Sequence, residues 1–269
     1  MKSSKDQLHR TITVAETPKR IVSLVPSQTE LLYDLGLEAH IVGITKFCVH
    51  PFHFKHTKTI VGGTKKVKIN TIKALQPDII LCNKEENTLQ MIRELEPIAP
   101  IHISDVYNVE DCLKLIAMYG QLFSKSDKAH TLINTIREKQ HHFKAFCKDK
   151  PRIKVAYFIW RTPWMVAAKH TFINTMLQLN NFENYYGHLL RYPEIQPATN
   201  PNQVPDAILL SSEPYPFKEK HKEELLTFFP GAKIIFVDGE MFSWYGSRLI
   251  KAFDYFKQLH KDDLAQIMH

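Results

Sequence analysis

Residues Thr45 to His56 read TKFCVHPFHFKH, with one cysteine and three histidines, and with His50, His53 and His56 three apart. Imidazole and thiolate are ligands for zinc and its neighbours. The first chemistry this spacing offers is therefore a direct metal-ion site on His50, His53 and His56. A second is a pocket wall in which His50 touches a bound molecule. The third is a solvated loop. Positions three apart share a face only on a helix. Pro51 turns His50 away from helical backbone, so the spacing alone does not put all three rings on one side. Cys48 is expected to pack against a sheet end.

Large aromatic side chains form the second group. Trp160, Trp164 and Trp244, the only tryptophans in the chain, all fall in predicted loops of its second half, where an indole exposes a large apolar surface. Either they plug the ends of a sheet core, or they form a wall for a flat ring system, with stacking worth about 0.5–1.5 kcal/mol per pair beyond burial. Tyr192, Phe242 and Tyr245 lie in the same loops, with Arg161 and Arg248 as guanidinium forks suited to carboxylates. The corresponding loops of the first half are polar and basic: Lys46, His50, Thr64, Lys65 and Asn83. A planar ligand with carboxylate or amide edges suits such a lopsided pocket. No G-x-S-x-G, Walker or G-x-G-x-x-G motif is present. Asp238, Glu240 and Glu213 are the acid–base candidates if the chain is instead an uncharacterised α/β enzyme.

What positions these residues is an internal echo. PDIILCNKE (77–85) returns as PDAILLSSE (205–213), KRIVSLVPS near the start as PRIKVAYFI after residue 150, and PIAPIHISD (97–105) as FPGAKIIFVDG (229–239). Short apolar runs alternate with helical patterns in both halves, the signature of parallel sheets with crossover helices. SQTE at Ser27–Glu30 reads as a capping box opening a helix. Between the halves the helical pattern runs unbroken by glycine or proline until Pro151. A helix of about 22 residues spans about 33 Å. The expected organisation is an N-terminal α/β lobe over 1–124, a backbone helix over 125–150 and a C-terminal α/β lobe over 151–269. The ligand site is then expected in the cleft facing the C-terminal strand ends of both sheets.

Bulk properties narrow the classes. The net charge is +7, but the lysines are spread along the chain with one local cluster, KKVK at 65–68, so no nucleic-acid partner is expected. No apolar run is long enough to span a membrane. The first residues carry no apolar signal segment, so the chain as written is expected to stay cytoplasmic, or to be periplasmic or lipid-anchored if an export signal was removed. Four separated cysteines, with no C-x-x-C pair, argue against a disulfide framework.

RIVSLVPSQTELLYDLGLEAHIVGIT, IKALQPDIILCNKEEN and the single interlobe helix together resemble the helical-backbone (class III) substrate-binding proteins of ABC transporters. SLVPSQTELLYDLG is most similar to the cobalamin branch of that family, beside the iron–siderophore and haem binders. The resemblance implies two Rossmann-like lobes joined by one long helix and a non-catalytic protein. Its ligand would be a planar macrocycle or chelate: cobalamin or a related corrinoid first, then haem or a ferric siderophore. No cofactor of its own is required. The implied role is a transporter component or a soluble carrier. It further implies docking to a permease by one acidic residue on each lobe, for which Glu86 and Glu219 are candidates, and that His50 occupies a position where a ligand-contacting side chain lies.

Overall fold

The three echoed pairs of apolar runs become parallel strands at matching places in two separate sheets. The computed structural model describes residues 2–197 and 204–265. An antiparallel hairpin, β1 (Lys2–Lys5) and β2 (Thr11–Val14), comes first. Then follow β3 (Ile21–Ser23), α1 (Pro26–Asp34), β4 (Ile41–Ile44), α2 (Phe54–Thr57), β5 (Thr59–Ile60), α3 (Ile69–Ala74), β6 (Ile79–Asn83), α4 (Leu89–Leu95), β7 (Ile101–Ser104) and α5 (Val109–Leu122). Helix α6 (Ser126–Cys147) has 22 residues, the expected length. After it come β8 (Ile153–Trp160), β9 (Trp164–Val166), α7 (Phe172–Leu179), β10 (Phe182–Asn184), β11 (Glu194–Ile195), β12 (Ala207–Ser211), α8 (Glu219–Phe228), β13 (Lys233–Val237), α9 (Gly239–Ser243) and α10 (Leu249–Asp262).

The first sheet has the order β5-β4-β3-β6-β7, and every pairing in it is parallel. The second has the order β11-β9-β8-β12-β13, with β10 also pairing to β8. Its centre, β8-β12-β13, is parallel like β3-β6-β7. Contrary to an all-parallel expectation, β9 and β11 are antiparallel. The physical reason is reach: only Arg161–Pro163 separates β8 from β9, and a parallel return needs a crossover of a dozen or more residues. Each sheet has its own apolar core, around Val22, Ile80 and Ile101 in the first and around Phe158, Ile208 and Leu225 in the second.

The repeated Pro-Asp does the same work in both sheets. The Asp78 carboxylate accepts from the Lys19 and Arg20 amides at 2.8 and 2.9 Å, and its own amide donates to the Arg20 carbonyl. The Asp206 carboxylate accepts from the Lys154 amide at 2.7 Å, and its amide donates to the Lys154 carbonyl. Each aspartate thus ties the start of its strand to the start of the central strand beside it.

The chain divides into two units. One runs through Ile136 and also takes Tyr245–Arg248; the other holds Arg137–Trp244 and the chain from Leu249 on. The change of unit therefore falls inside α6, and the first unit carries four residues from late in the chain. That segment is bound within the first unit by buried groups. Arg248 Nε donates to Glu30 Oε2 at 2.8 Å, with both side chains almost fully buried. The Tyr245 hydroxyl meets Gln28 Nε2 at 3.0 Å and Ser104 Oγ at 3.2 Å. Gly246 has φ +99, a value that favours glycine, and its amide donates to Cys112 Sγ. Glu30 is thus committed to Arg248. The capping box expected at Ser27–Glu30 also begins two residues late: α1 opens with Pro26 at its first position and Val25 as cap, the place proline's missing amide suits.

Candidate functional site

In the second unit, β8 delivers Trp160 to the strand end, where its indole is 38% exposed. Tyr215, from the loop after β12, meets it edge-on at 5.4 Å, and Tyr215 in turn contacts Phe217 at 4.9 Å. These rings form a half-open aromatic face. Trp164 lies beneath it: buried, edge-on to Phe158 at 5.4 Å and stacked on Phe217 with planes 8° apart. It belongs to the core that supports the face. Arg161 places its guanidinium 4.4 Å above the Trp164 ring and grips Glu224 by Nε and Nη2 at 3.0 and 2.5 Å. Its charge is therefore already matched by a bidentate carboxylate partner. Tyr192 is half-buried just before β11.

Four residues expected on an open face lie elsewhere. Phe242 is fully buried, packed on Tyr157 at 5.1 Å and Phe256 at 4.7 Å, because short α9 turns its apolar side inward. Tyr245 and Arg248 are the buried anchors of the late segment in the first unit. Trp244 is buried too, its indole N–H donating to Glu213 Oε1 at 2.8 Å, which also accepts from Ser243 Oγ. That contact, with Asp238 Oδ1 capping α9 through the Glu240 amide at 3.0 Å, gives Glu213 and Asp238 structural partners in place of acid–base roles.

In the first unit the parallel strands bring three loops to one sheet end. Lys46 and Phe47 follow β4, Gly62–Lys65 follow β5, and Lys84–Asn87 follow Asn83, the last residue of β6. Phe47 is 48% exposed, with Lys46 Nζ 4.9 Å from its ring centroid. A Cβ on Gly63 would come within 3.2 Å of that ring, so glycine lets the two loops close on each other. Lys46 donates its amide to the Gly62 carbonyl at 2.8 Å, and Asn87 Nδ2 donates to the Thr64 carbonyl at 2.8 Å. Lys65 Nζ donates to the Glu85 carbonyl. Asn83 is buried and holds the turn, its Oδ1 accepting from the Glu85 and Glu86 amides at 2.8 and 3.0 Å. Lys46, Thr64 and Lys65 therefore gather at one place, whereas Asn83 supports them from below.

Glu86 is half-buried. Burial pushes its carboxyl above the usual range, and Glu85 adds to this, against Lys65 and a hydrogen bond from Thr64. Glu219 stands exposed in the first turn of α8.

The histidine loop does not assemble a metal site. His53 Nε2 is 2.7 Å from Glu38 Oε1, His56 lies beside Phe52, and His50 precedes α2 rather than joining it. Among the described residues no three histidine, cysteine or acidic side chains converge as metal ligands. Cys48 is fully buried between the hydroxyls of Thr29 and Thr45, at 3.1 and 3.2 Å, and burial pushes its thiol up.

A family profile described as "Periplasmic binding protein" matches residues 21–227. The chain belongs to this family. It is a binding protein rather than an enzyme. The uncharacterised ABC transporter substrate-binding lipoprotein YvrC of Bacillus subtilis (strain 168) is 26% identical over 215 residues, covering 76% of this chain and 67% of its own. The vitamin B12-binding protein of Vibrio parahaemolyticus is 22% identical over 203 residues, covering 74% of each. In fold, the periplasmic haem-binding protein RhuT of Roseiflexus superposes with a TM-score of 0.78 at 16% identity, over 90% of this chain and 98% of its own. Among the described residues no helix is long and apolar enough to cross a membrane. The expectation of a cytoplasmic protein finds no support among these relatives.

Lys46 and Glu213 are named from the sequence, but Phe47, Tyr215 and Phe217 are not. Only exposure separates them from Phe242, and exposure is a tertiary property.

Proposed function

We propose that this chain is the substrate-binding component of an ABC-type importer for a planar, metal-containing macrocycle or chelate. A corrinoid is the first candidate, followed by haem and then a ferric siderophore. The observation that carries this reading is the Trp160–Tyr215 aromatic face at the end of β8, which offers a half-open indole for a flat ring system. On the first unit, Phe47, Lys46 and Lys65 form an aromatic and basic surface of their own, with ammonium groups suited to carboxylate or amide edges. His50, half-buried at the start of its loop, is the candidate axial ligand. The B12-binding relative in Vibrio and the lipoprotein relative in Bacillus support the ligand class and a site of action outside the cytoplasmic membrane. Glu219 is the more accessible acid for contact with a permease. Glu86, half-buried beside Lys65, is the companion candidate.

The test is a visible absorption titration with cyanocobalamin, hydroxocobalamin and haemin. Saturable binding that weakens about tenfold in Trp160→Ala is expected, the size of one lost aromatic contact. A shifted band that disappears in His50→Ala identifies the axial ligand. Binding to none of the three removes the macrocycle from this reading, and equal affinity in Trp160→Ala removes the face.

A further inference from the structure

Behind Tyr215 lies His221, in the first turn of α8 with its ring buried against Tyr215 and Phe217, at 5.4 and 5.6 Å. His221 Nδ1 accepts from the Lys218 amide at 2.8 Å. An accepting nitrogen carries no proton, so the neutral ring carries its proton on Nε2. Nε2 is 3.2 Å from the Tyr215 hydroxyl, and the N–H donates to it. Tyr215 then sets its ring edge-on to Trp160. One imidazole tautomer thus connects the backbone at the start of α8 with the half-open indole.

We infer that His221 is a positioning residue for ligand binding: in its Nε2–H tautomer it holds the Tyr215 ring at the angle that keeps the Trp160 face open to a flat ligand. The inference rests on reading that face as the ligand-binding surface. His221 is buried behind Tyr215 and acts through it. The groups facing it are the Lys218 amide, the Tyr215 hydroxyl and the charges of Lys220, Glu224 and Arg161. Burial, and after it Lys220 and Arg161, favour the neutral ring against Glu224. Protonation would place a second N–H against the Lys218 amide and release the ring, so ligand affinity falls as the pH is lowered through this titration.

Two variants test it. Asparagine can place Oδ1 near the position of Nδ1, which keeps the bond from the Lys218 amide, but it is too short to reach Tyr215. Tyr215→Phe keeps the ring and removes the hydroxyl. For whichever of cyanocobalamin, hydroxocobalamin and haemin the unaltered protein binds, His221→Asn and Tyr215→Phe should each weaken binding about three- to tenfold. The double variant should be no worse than either single one, since both cut the same link. The pH dependence of affinity should flatten in His221→Asn. Unaltered affinity in His221→Asn, or fully additive losses, overturns the inference. If the unaltered protein binds none of the probes, the proposed function has failed and the link is read without ligand by NMR. An Nε2–H tautomer, with a Tyr215–Trp160 ring NOE that vanishes in His221→Asn, upholds the positioning. An Nδ1–H tautomer or a persistent NOE refutes it.

Discussion

In the first unit the central strand β3 runs into Pro26 and helix α1, which carries the chain to its parallel neighbour β4. In the second, the matching strand β8 turns through Arg161–Pro163 straight into antiparallel β9. The strand cores are alike; what leaves their C-terminal ends is not. A helix start presents backbone and small polar side chains, whereas a tight hairpin leaves its flanking side chains on both sides of the turn, and here these are Trp160 and Trp164. That connection leaves Trp160 at the strand end and sends Trp164 into the core, and the loop after β12 adds Tyr215 to the open face. The units also differ in what they contain, because the first takes in Tyr245–Arg248 from late in the chain.

The largest expected effect tests that borrowed segment. Glu30→Ala leaves the buried Arg248 guanidinium without its carboxylate, and removing one partner of a buried pair costs about 3–5 kcal/mol. Urea unfolding should show it. A loss below about 1 kcal/mol would mean that the Gln28, Ser104 and Cys112 contacts hold the segment by themselves.

A smaller effect asks whether the units respond alike to acid. Each holds a deeply buried histidine outside the aromatic face, His102 in β7 and His260 in α10. Burial lowers both imidazoles to about 4, helped by Arg10 and opposed by Asp6 at His102, and helped by Lys150 at His260. Above about pH 6.5 neither native nor unfolded chain is protonated at these rings. As the pH falls from there towards 4, the unfolded chain binds protons that the native one refuses, and stability drops. Each histidine should contribute a loss of about 2 kcal/mol between pH 7 and pH 5. His102→Phe and His260→Phe should each remove about one such share of the loss. An unchanged pH dependence in either variant would place the acid sensitivity elsewhere.

The smallest effect sharpens the likeness itself. Asp78→Ala frees the Lys19 and Arg20 amides and Asp206→Ala frees the Lys154 amide, at about 1 kcal/mol per bond. A loss in thermal unfolding that follows the number of bonds, larger for Asp78→Ala, would show that the repeated Pro-Asp is one device used twice. No loss in either variant would break the comparison.

Much of this architecture was legible because it is local. Apolar runs after prolines, the repeated Pro-Asp and an uninterrupted helical period depend on near neighbours, and they became β3/β8, β6/β12, β7/β13 and α6. The site was legible only as loops. Within those loops, which side chain faces water depends on partners distant in sequence. Glu224 takes up Arg161, Glu213 takes up Trp244, and Phe256 covers Phe242. The capping-box expectation at Glu30 failed for the same reason, since its partner Arg248 is 218 residues away.

The sequence by itself determined the echoed strands of the two sheets, the long helix α6 and the loops at the strand ends, since period and turn chemistry act over a few residues. Only the tertiary structure decided that Trp160, Tyr215 and Phe47 are left open while Phe242, Trp244 and Arg248 are closed in, because burial and ion pairing are settled by whichever distant group arrives to compete with water.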